Sequence, residues 1–158
     1  MTDKDEFCKY IRQYENAMYS LAFSIVRNEA DAAEVLSEAV YRAYKNLASL
    51  KNPKAFKTWI LRIVHNTAIE LIRKNSKTFL TEEVPQASVD ESFETSLDLR
   101  KAVESLKQPY RTVVILFYYE NFSVSEIAQI TGSNPVAVKQ QLSRARKMLK
   151  EFLKEDFT

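Results

Sequence analysis

The sequence predicts an all-α fold of two small helical domains joined by a flexible acidic linker, on three observations. A single glycine and four prolines in 158 residues leave few tight turns, while Ala, Leu, Ile, Glu and Lys are plentiful, the residues that cost a helix least. Apolar side chains recur at steps of three and four over long stretches, the spacing of one helix face. One stretch, "SKTFLTEEVPQASVDES", has no such period, carries Pro85 and is polar, so its composition predicts disorder in the free protein. These features divide the chain into a domain at 1–78, a linker at 79–93 and a second domain at 94–158.

Phe7, Ile11, Tyr14, Met18, Leu21 and Ile25 alternate steps of four and three and define a long first helix. A second is expected from about Glu29 to Leu47, with Ala32, Leu36, Ala39, Ala43 and Leu47 inward. "SLKNPK" ends it, because Pro53 disfavours a helical conformation at Asn52. A third helix runs from about Pro53 to Lys74, with Phe56, Ile60, Ile63 and Leu71 on one side. Beyond the linker, a helix carrying Leu99, Val103 and Leu106 stops before Pro109. "TVVILFYY" has strand-like composition, yet it abuts helical patterns with no partner strand in sight, and is read as a buried helix.

The remaining segment explains the lone glycine. "VSEIAQIT" is a short helix with Ile127, Ala128 and Ile130 near its buried side; Ser123 is placed to cap it and Glu126 stands at the capping-box spacing. Gly132 falls where that helix must end, and glycine reaches the left-handed conformation without a side-chain clash. Asn134 is a good N-cap and Pro135 suits the first position of a new helix. That helix puts Val138, Leu142, Ala145 and Leu149 on one face and Lys139, Gln140, Ser143 and Arg144 on the other. Small Ala128 and bulkier Val138 suit a close crossing. Helix, sharp turn, helix is the arrangement whose second helix enters the DNA major groove, although any tight pair of helices can mimic it. The polar residues favour DNA: Lys and Arg suit phosphates or guanine edges, and Gln140 suits adenine.

Charge distribution says more than the net charge of +2. From Arg42 to Lys77 nine basic residues face one acid, Glu70; from there to Arg100 there is no base while six acids accumulate; the last helix is basic again. Two basic surfaces separated by an acidic strap suit a polyanion, and solvated helix faces would look similar. No apolar run approaches the roughly 20 residues of a membrane span. The acidic start "MTDKDEF" is no signal peptide, and lone Cys8 forms no internal disulfide, so a cytoplasmic location is expected. His65 is the only histidine and has no ligand-spaced partners, so neither a metal nor another cofactor is expected; it is read as a satisfied helix residue. Trp59, at helical spacing from Ile63, reads as core rather than as a stacking platform. With no nucleophile–base set, phosphate loop or carboxylate pair, no enzyme is expected.

The block "LKQPYRTVVILFYYENFSVSEIAQITGSNPVAVKQQLSRARKML" resembles the carboxy-terminal promoter-binding domain of bacterial sigma factors, and "DAAEVLSEAVYRAYKNL" with "FKTWILRIVHNTAIELIRK" resembles the helices of the other sigma domain. Two blocks in this order, with a short linker between, are similar to the extracytoplasmic function (ECF) sigma factors. The resemblance implies a factor that recruits core RNA polymerase to promoter DNA, the second domain reading the −35 element and the first binding the −10 element and assisting melting. It implies upstream contacts from Lys139, Gln140, Ser143, Arg144, Arg146 and Lys147. Downstream contacts would come from Ser49, Leu50, Lys51 and Asn52 in the loop and from Lys54, Lys57, Arg62, Asn66, Arg73 and Lys74. Polymerase contacts would come from Glu34, Ser37, Glu38 and Arg42. A monomer is expected when free, with an anti-sigma partner, often membrane-anchored in this family. The acidic linker would thread toward the polymerase active-site channel, where RNA later displaces it.

Ser37, Glu34, Glu70, Asn121, Ala137 and Gln141 depart from the family pattern. Asn121 tolerates a left-handed turn, whereas Ala137 and Gln141 bear on which promoter is read. Two other readings stay open: a dimeric helix-turn-helix regulator of duplex operators, and a helical adaptor that binds only protein.

Overall fold

The computed structural model describes residues 3–78 and 94–156; the expected linker lies outside the described residues. Helix α1 (Lys4–Val26) starts at Asp3, whose carboxylate accepts the Asp5 N–H at 3.0 Å, with Asp5 and Glu6 in its first turn, where the helix dipole favours negative charge. It ends at Arg27 in the left-handed conformation (φ 62°). Phe7, Met18, Leu21 and Ile25 are buried as expected; Ile11 and Tyr14 are half-buried. Helix α2 (Glu29–Lys45) is capped by Asn28, which accepts the Asp31 N–H at 2.8 Å. It stops earlier than expected, and Leu47 is buried in the 3-10 turn Leu47–Ser49 instead. Its inward residues are Ala32, Val35, Ala39 and Ala43, with Leu36 only half-buried. Valine takes the place assigned to leucine because the three alanines set the face on which α2 closes.

Asn52 accepts the Lys54 N–H at 3.1 Å and opens a second 3-10 turn, Pro53–Ala55, which leads into α3 (Phe56–Thr78). Phe56, Ile60, Leu61, Val64 and Ala68 are fully buried, while Ile63 and Leu71 only flank the core. The Phe56 ring meets Phe7, Tyr10, Tyr14 and Trp59 at centroid distances of 6.1, 5.1, 6.0 and 5.6 Å, tying α1 to α3 by aromatic packing.

The second domain comprises α4 (Glu94–Ser105), α5 (Tyr110–Val114), α6 (Val124–Thr131) and α7 (Pro135–Asp156). Ala102, Val103 and Leu106 are buried, but Leu99, expected inward, is 44% exposed, because α4 turns its Ala102–Val103 side toward α5 and α7. "TVVILFYY" is helical as expected, with one feature the sequence does not announce: α5 passes directly into a π turn, Ile115–Tyr119. Asn121 follows with φ 59°. Ser123 and Glu126 form the capping box in full, and Gly132 ends α6 with φ 73°. Asn134 accepts the Ala137 N–H at 2.9 Å and starts α7.

A small core of Val103, Leu106, Val114 and Ala145 lies within the second domain. The larger core crosses between the domains, from α1, α2 and α3 through Val113, Leu116, Ile127 and Ile130 to Val138 and Leu142. Polar groups stitch the same boundary. Arg111, buried in the second domain, donates from Nε to the Ser24 carbonyl of α1 at 2.6 Å and from Nη1 to the Leu106 carbonyl at 2.8 Å. In return Arg27, at the end of α1, donates to the Glu104 carbonyl of α4 at 2.8 Å. Each domain thus supplies a guanidinium to carbonyls that the other's helix leaves unpaired at its C-terminal end. Gln108 and Thr112 complete the network, the Thr112 hydroxyl lying 2.9 Å from that of Ser24. Burial, then the charge of Arg27, push Arg111 down to about 10, partly offset by Glu104, so it remains charged at neutral pH.

Candidate nucleic-acid interface

Helices α6 and α7 cross over Ala128 and Val138, both buried, so α7 turns its polar side outward. Lys139, Gln140, Ser143, Arg144, Arg146 and Lys147 are all exposed there. The first three lie on one helical stripe. This face has the donors that phosphates and base edges require.

The second candidate surface is a cleft of about 360 Å³ between the turns after α2 and the start of α3, lined by Ser49, Leu50, Lys51, Asn52, Ala55, Thr58, Trp59, Arg62 and Gln129. The structure therefore gathers five of the ten downstream candidates at one opening. Asn66 and Arg73 follow Arg62 along α3 at steps of four and seven, both exposed, as is Lys74; Lys54 is exposed beside the cleft. Leu50 lines the cleft but differs from expectation in being buried in the core, because this short turn needs an apolar anchor. Trp59 is half-buried, packed on Phe56 and lining the cleft at once, so it is both core and rim.

Two of the downstream cations already have partners on the helix-turn-helix. Arg62 Nη1 donates to the Gln129 carbonyl at 2.7 Å, near the C-terminal end of α6 where the dipole favours a cation. Lys57 Nζ lies 3.3 Å from Glu126 and 4.2 Å from the centroid of the Phe122 ring. Burial pushes the Glu126 carboxyl up, but the Ser123 N–H and Lys57 outweigh it and hold the group below its usual range. Gly132 proves doubly constrained, since a Cβ there would meet the Arg62 guanidinium at 3.0 Å. Sequence reading found its turn and missed this approach, for which no local pattern gives a signal.

On α2, Glu34, Ser37 and Glu38 are exposed. Arg42 is drawn back against α3, donating to Glu70 at 2.7 Å and to Glu38 at 3.0 Å. His65 corrects an expectation: its Nδ1 is buried without a hydrogen-bond partner. Burial pushes its pKa down, keeping the ring neutral at pH 7. Among the described residues no helix is long and apolar enough to cross a membrane.

Helix-turn-helix, loop cleft and order of domains together define a two-part promoter-recognition protein, and comparison with known proteins makes that specific. Residues 10–78 match the family Sigma-70 region 2 and residues 96–149 match Sigma-70, region 4. The chain is 32% identical to the RNA polymerase sigma factor SigV of Bacillus subtilis, over 94% of this chain and 92% of that one. It is 29% identical to the ECF RNA polymerase sigma factor SigW of the same organism, over 97% and 91%. The chain belongs to the ECF sigma factors of bacterial RNA polymerase. Its function is promoter-specific transcription initiation, and it is not an enzyme. Its fold is similar to that of the sigma factor RpoE in complex with the anti-sigma factor NepR from Bartonella quintana (TM-score 0.79, 23% identity, 94% and 97% coverage). It is also similar to CnrH in complex with the cytosolic domain of CnrY (TM-score 0.72, 22% identity, 98% and 91% coverage).

Proposed function

We propose that residues 1–78 bind core RNA polymerase and the −10 element and assist melting, while residues 94–158 read the −35 element. The observation that carries this division is the convergence of Ser49, Lys51, Asn52 and Arg62 on one cleft with Trp59 at its edge, a largely apolar opening among polar residues, with an aromatic wall suited to an unstacked base. Lys54, Lys57, Arg73 and Lys74 then follow the phosphates, and Asn66 reads beside the cleft. Glu34, Ser37, Glu38 and Arg42 meet the polymerase, where charge pairs fix orientation more than affinity. The acidic segment 79–93 enters the polymerase channel as a strap.

In the closed arrangement α6 holds Lys57 and Arg62, so DNA reaches the cleft only by exchanging these contacts and moving the domains apart. Free protein is then a monomer that binds DNA weakly. An anti-sigma factor, membrane-anchored in one form, is the partner this reading adds; of the two similar folds named above, one was solved with an anti-sigma factor and the other with the cytosolic domain of CnrY.

The test is association with core polymerase followed by transcription from random promoters. Start sites sharing two spaced elements are expected, with Asn66→Ala degrading the downstream element and Arg144→Ala the upstream one. The opposite pairing, or both variants acting on one element, overturns the division of labour.

A further inference from the structure

The first turn of α7 carries a side chain that folding does not account for. Val136 is 66% exposed, more than any other large apolar side chain among the described residues. It buries little, and a β-branched residue is a poorer helix former than alanine. Isolated exposed apolar groups are commonplace on proteins, so position must decide what this one means. Val136 precedes Lys139, Gln140 and Ser143 by three, four and seven residues, and so lies at the N-terminal end of the stripe that they form. Of its neighbours, the Asn134 side-chain oxygen already accepts the Ala137 N–H at 2.9 Å, and Pro135 has no donor.

In a helix-turn-helix the N-terminal residues of the second helix lie against base edges. The major groove presents one distinct apolar group there, the C5 methyl of thymine. We propose that Val136 reads a thymine methyl in the upstream element, adding an apolar contact to the hydrogen bonds of Lys139 and Gln140. The inference rests on the −35 reading assigned to residues 94–158. It adds a base preference that charge and hydrogen bonding do not supply.

The test uses holoenzyme assembled from the full chain and core polymerase on a promoter selected from the random library. Each thymine of the upstream element is replaced in turn by deoxyuridine, which removes the methyl and keeps every hydrogen-bonding group. One position is expected to lose about four-fold in affinity, the worth of one buried methyl-sized group. Val136→Ala should lose a similar factor on the thymine template and become indifferent to deoxyuridine at that position, while Val136→Thr, which keeps one methyl, should stay sensitive. Uniform tolerance of deoxyuridine, an upstream element without thymine, or unchanged sensitivity in Val136→Ala overturns the inference and leaves the division of labour standing. Absence of any upstream element overturns both.

Discussion

On α7 the polar stripe of Lys139, Gln140 and Ser143 is exposed, whereas at the cleft Arg62 and Lys57 are already engaged with Gln129 and Glu126 of α6. On the division of labour proposed above, one DNA face is ready and the other partly covered, and the cover is the back of the same helix pair that presents the ready face. The groups holding the cover imitate a nucleic acid only in part: a helix carbonyl and one carboxylate take the place of phosphates. Such half-exposed pairs are individually weak, on the order of 0–1 kcal/mol, so the closed state draws its strength from elsewhere. That source is the apolar core crossing the domain boundary and the reciprocal guanidinium caps beside it. Strong packing sets the arrangement, and weak polar contacts decide which cations are engaged.

The largest test of this comparison removes a cap. Arg111→Ala deprives the Ser24 and Leu106 carbonyls of their donor and leaves a void at the boundary. A loss of about 2–4 kcal/mol is expected from urea unfolding, together with greater separation of the domains by small-angle scattering. A variant that unfolds at the parent midpoint would show the caps to be incidental. Next in size is Gly132→Ala. It forces a non-glycine residue to φ 73° and puts a methyl 3.0 Å from Arg62, for a cost of about 1–2 kcal/mol. Because the displaced group is the flexible end of Arg62, the strain should fall on the turn while Arg62 swings free. The expected readout is a lowered melting midpoint with increased affinity for single-stranded downstream DNA. A lowered midpoint with unchanged affinity would mean that Arg62 does not restrict the cleft.

Most of this architecture is legible in the residues, and the illegible part has a common cause. Capping signals, the glycine stop and the 3.6-residue stripes are local, so the helix-turn-helix and most helix bounds follow from short stretches. Leu99 and Leu36 differ because each was assigned by hydrophobicity alone, while burial is decided by which neighbouring helix arrives and at what distance; Leu50, placed among the loop contacts by resemblance, has its side chain in the core. The reciprocal caps are further from view: Arg27 and Glu104, or Ser24 and Arg111, are separated by 77 and 87 positions, and no motif links an arginine to a distant carbonyl. The loop candidates converged because they were close in sequence already. That Arg62 is shared between cleft and α6 could emerge only when the two domains met.

A smaller, more selective perturbation separates the cover from the fold. Glu126→Gln keeps an acceptor for the Ser123 N–H, the alternative the capping box allows, and discards the charge facing Lys57. Stability should change by less than about 1 kcal/mol, while free protein gains roughly two- to five-fold in affinity for single-stranded downstream DNA; binding of duplex upstream DNA stays constant. Equal gains on both DNAs would indicate a nonspecific charge effect and remove the distinction between the faces.

The pH dependence follows from the same carboxylate and has the smallest expected effect. Against the upward push of burial, Glu126 is held below its ordinary value of 4.5 in the folded chain, first by the Ser123 N–H and then by Lys57, so its ionised form stabilises the capping box and, through Lys57, the closed arrangement. That contribution is complete above the ordinary value and disappears as the pH falls through the lower folded one. Between neutrality and about pH 5 the domain separation should therefore stay flat, with the cover loosening only on further acidification. His65 acts in the same sense at higher pH: its pKa is pushed below the ordinary 6.5, so the folded chain resists protonating it and stability declines as the pH falls below that value. The two are separable by variant, because Glu126→Gln abolishes the step below pH 4.5 in a fluorescence measurement across the domain boundary and leaves the histidine contribution in place. Persistence of that acid step in Glu126→Gln would assign it to other carboxylates and detach the Lys57 contact from the closed state.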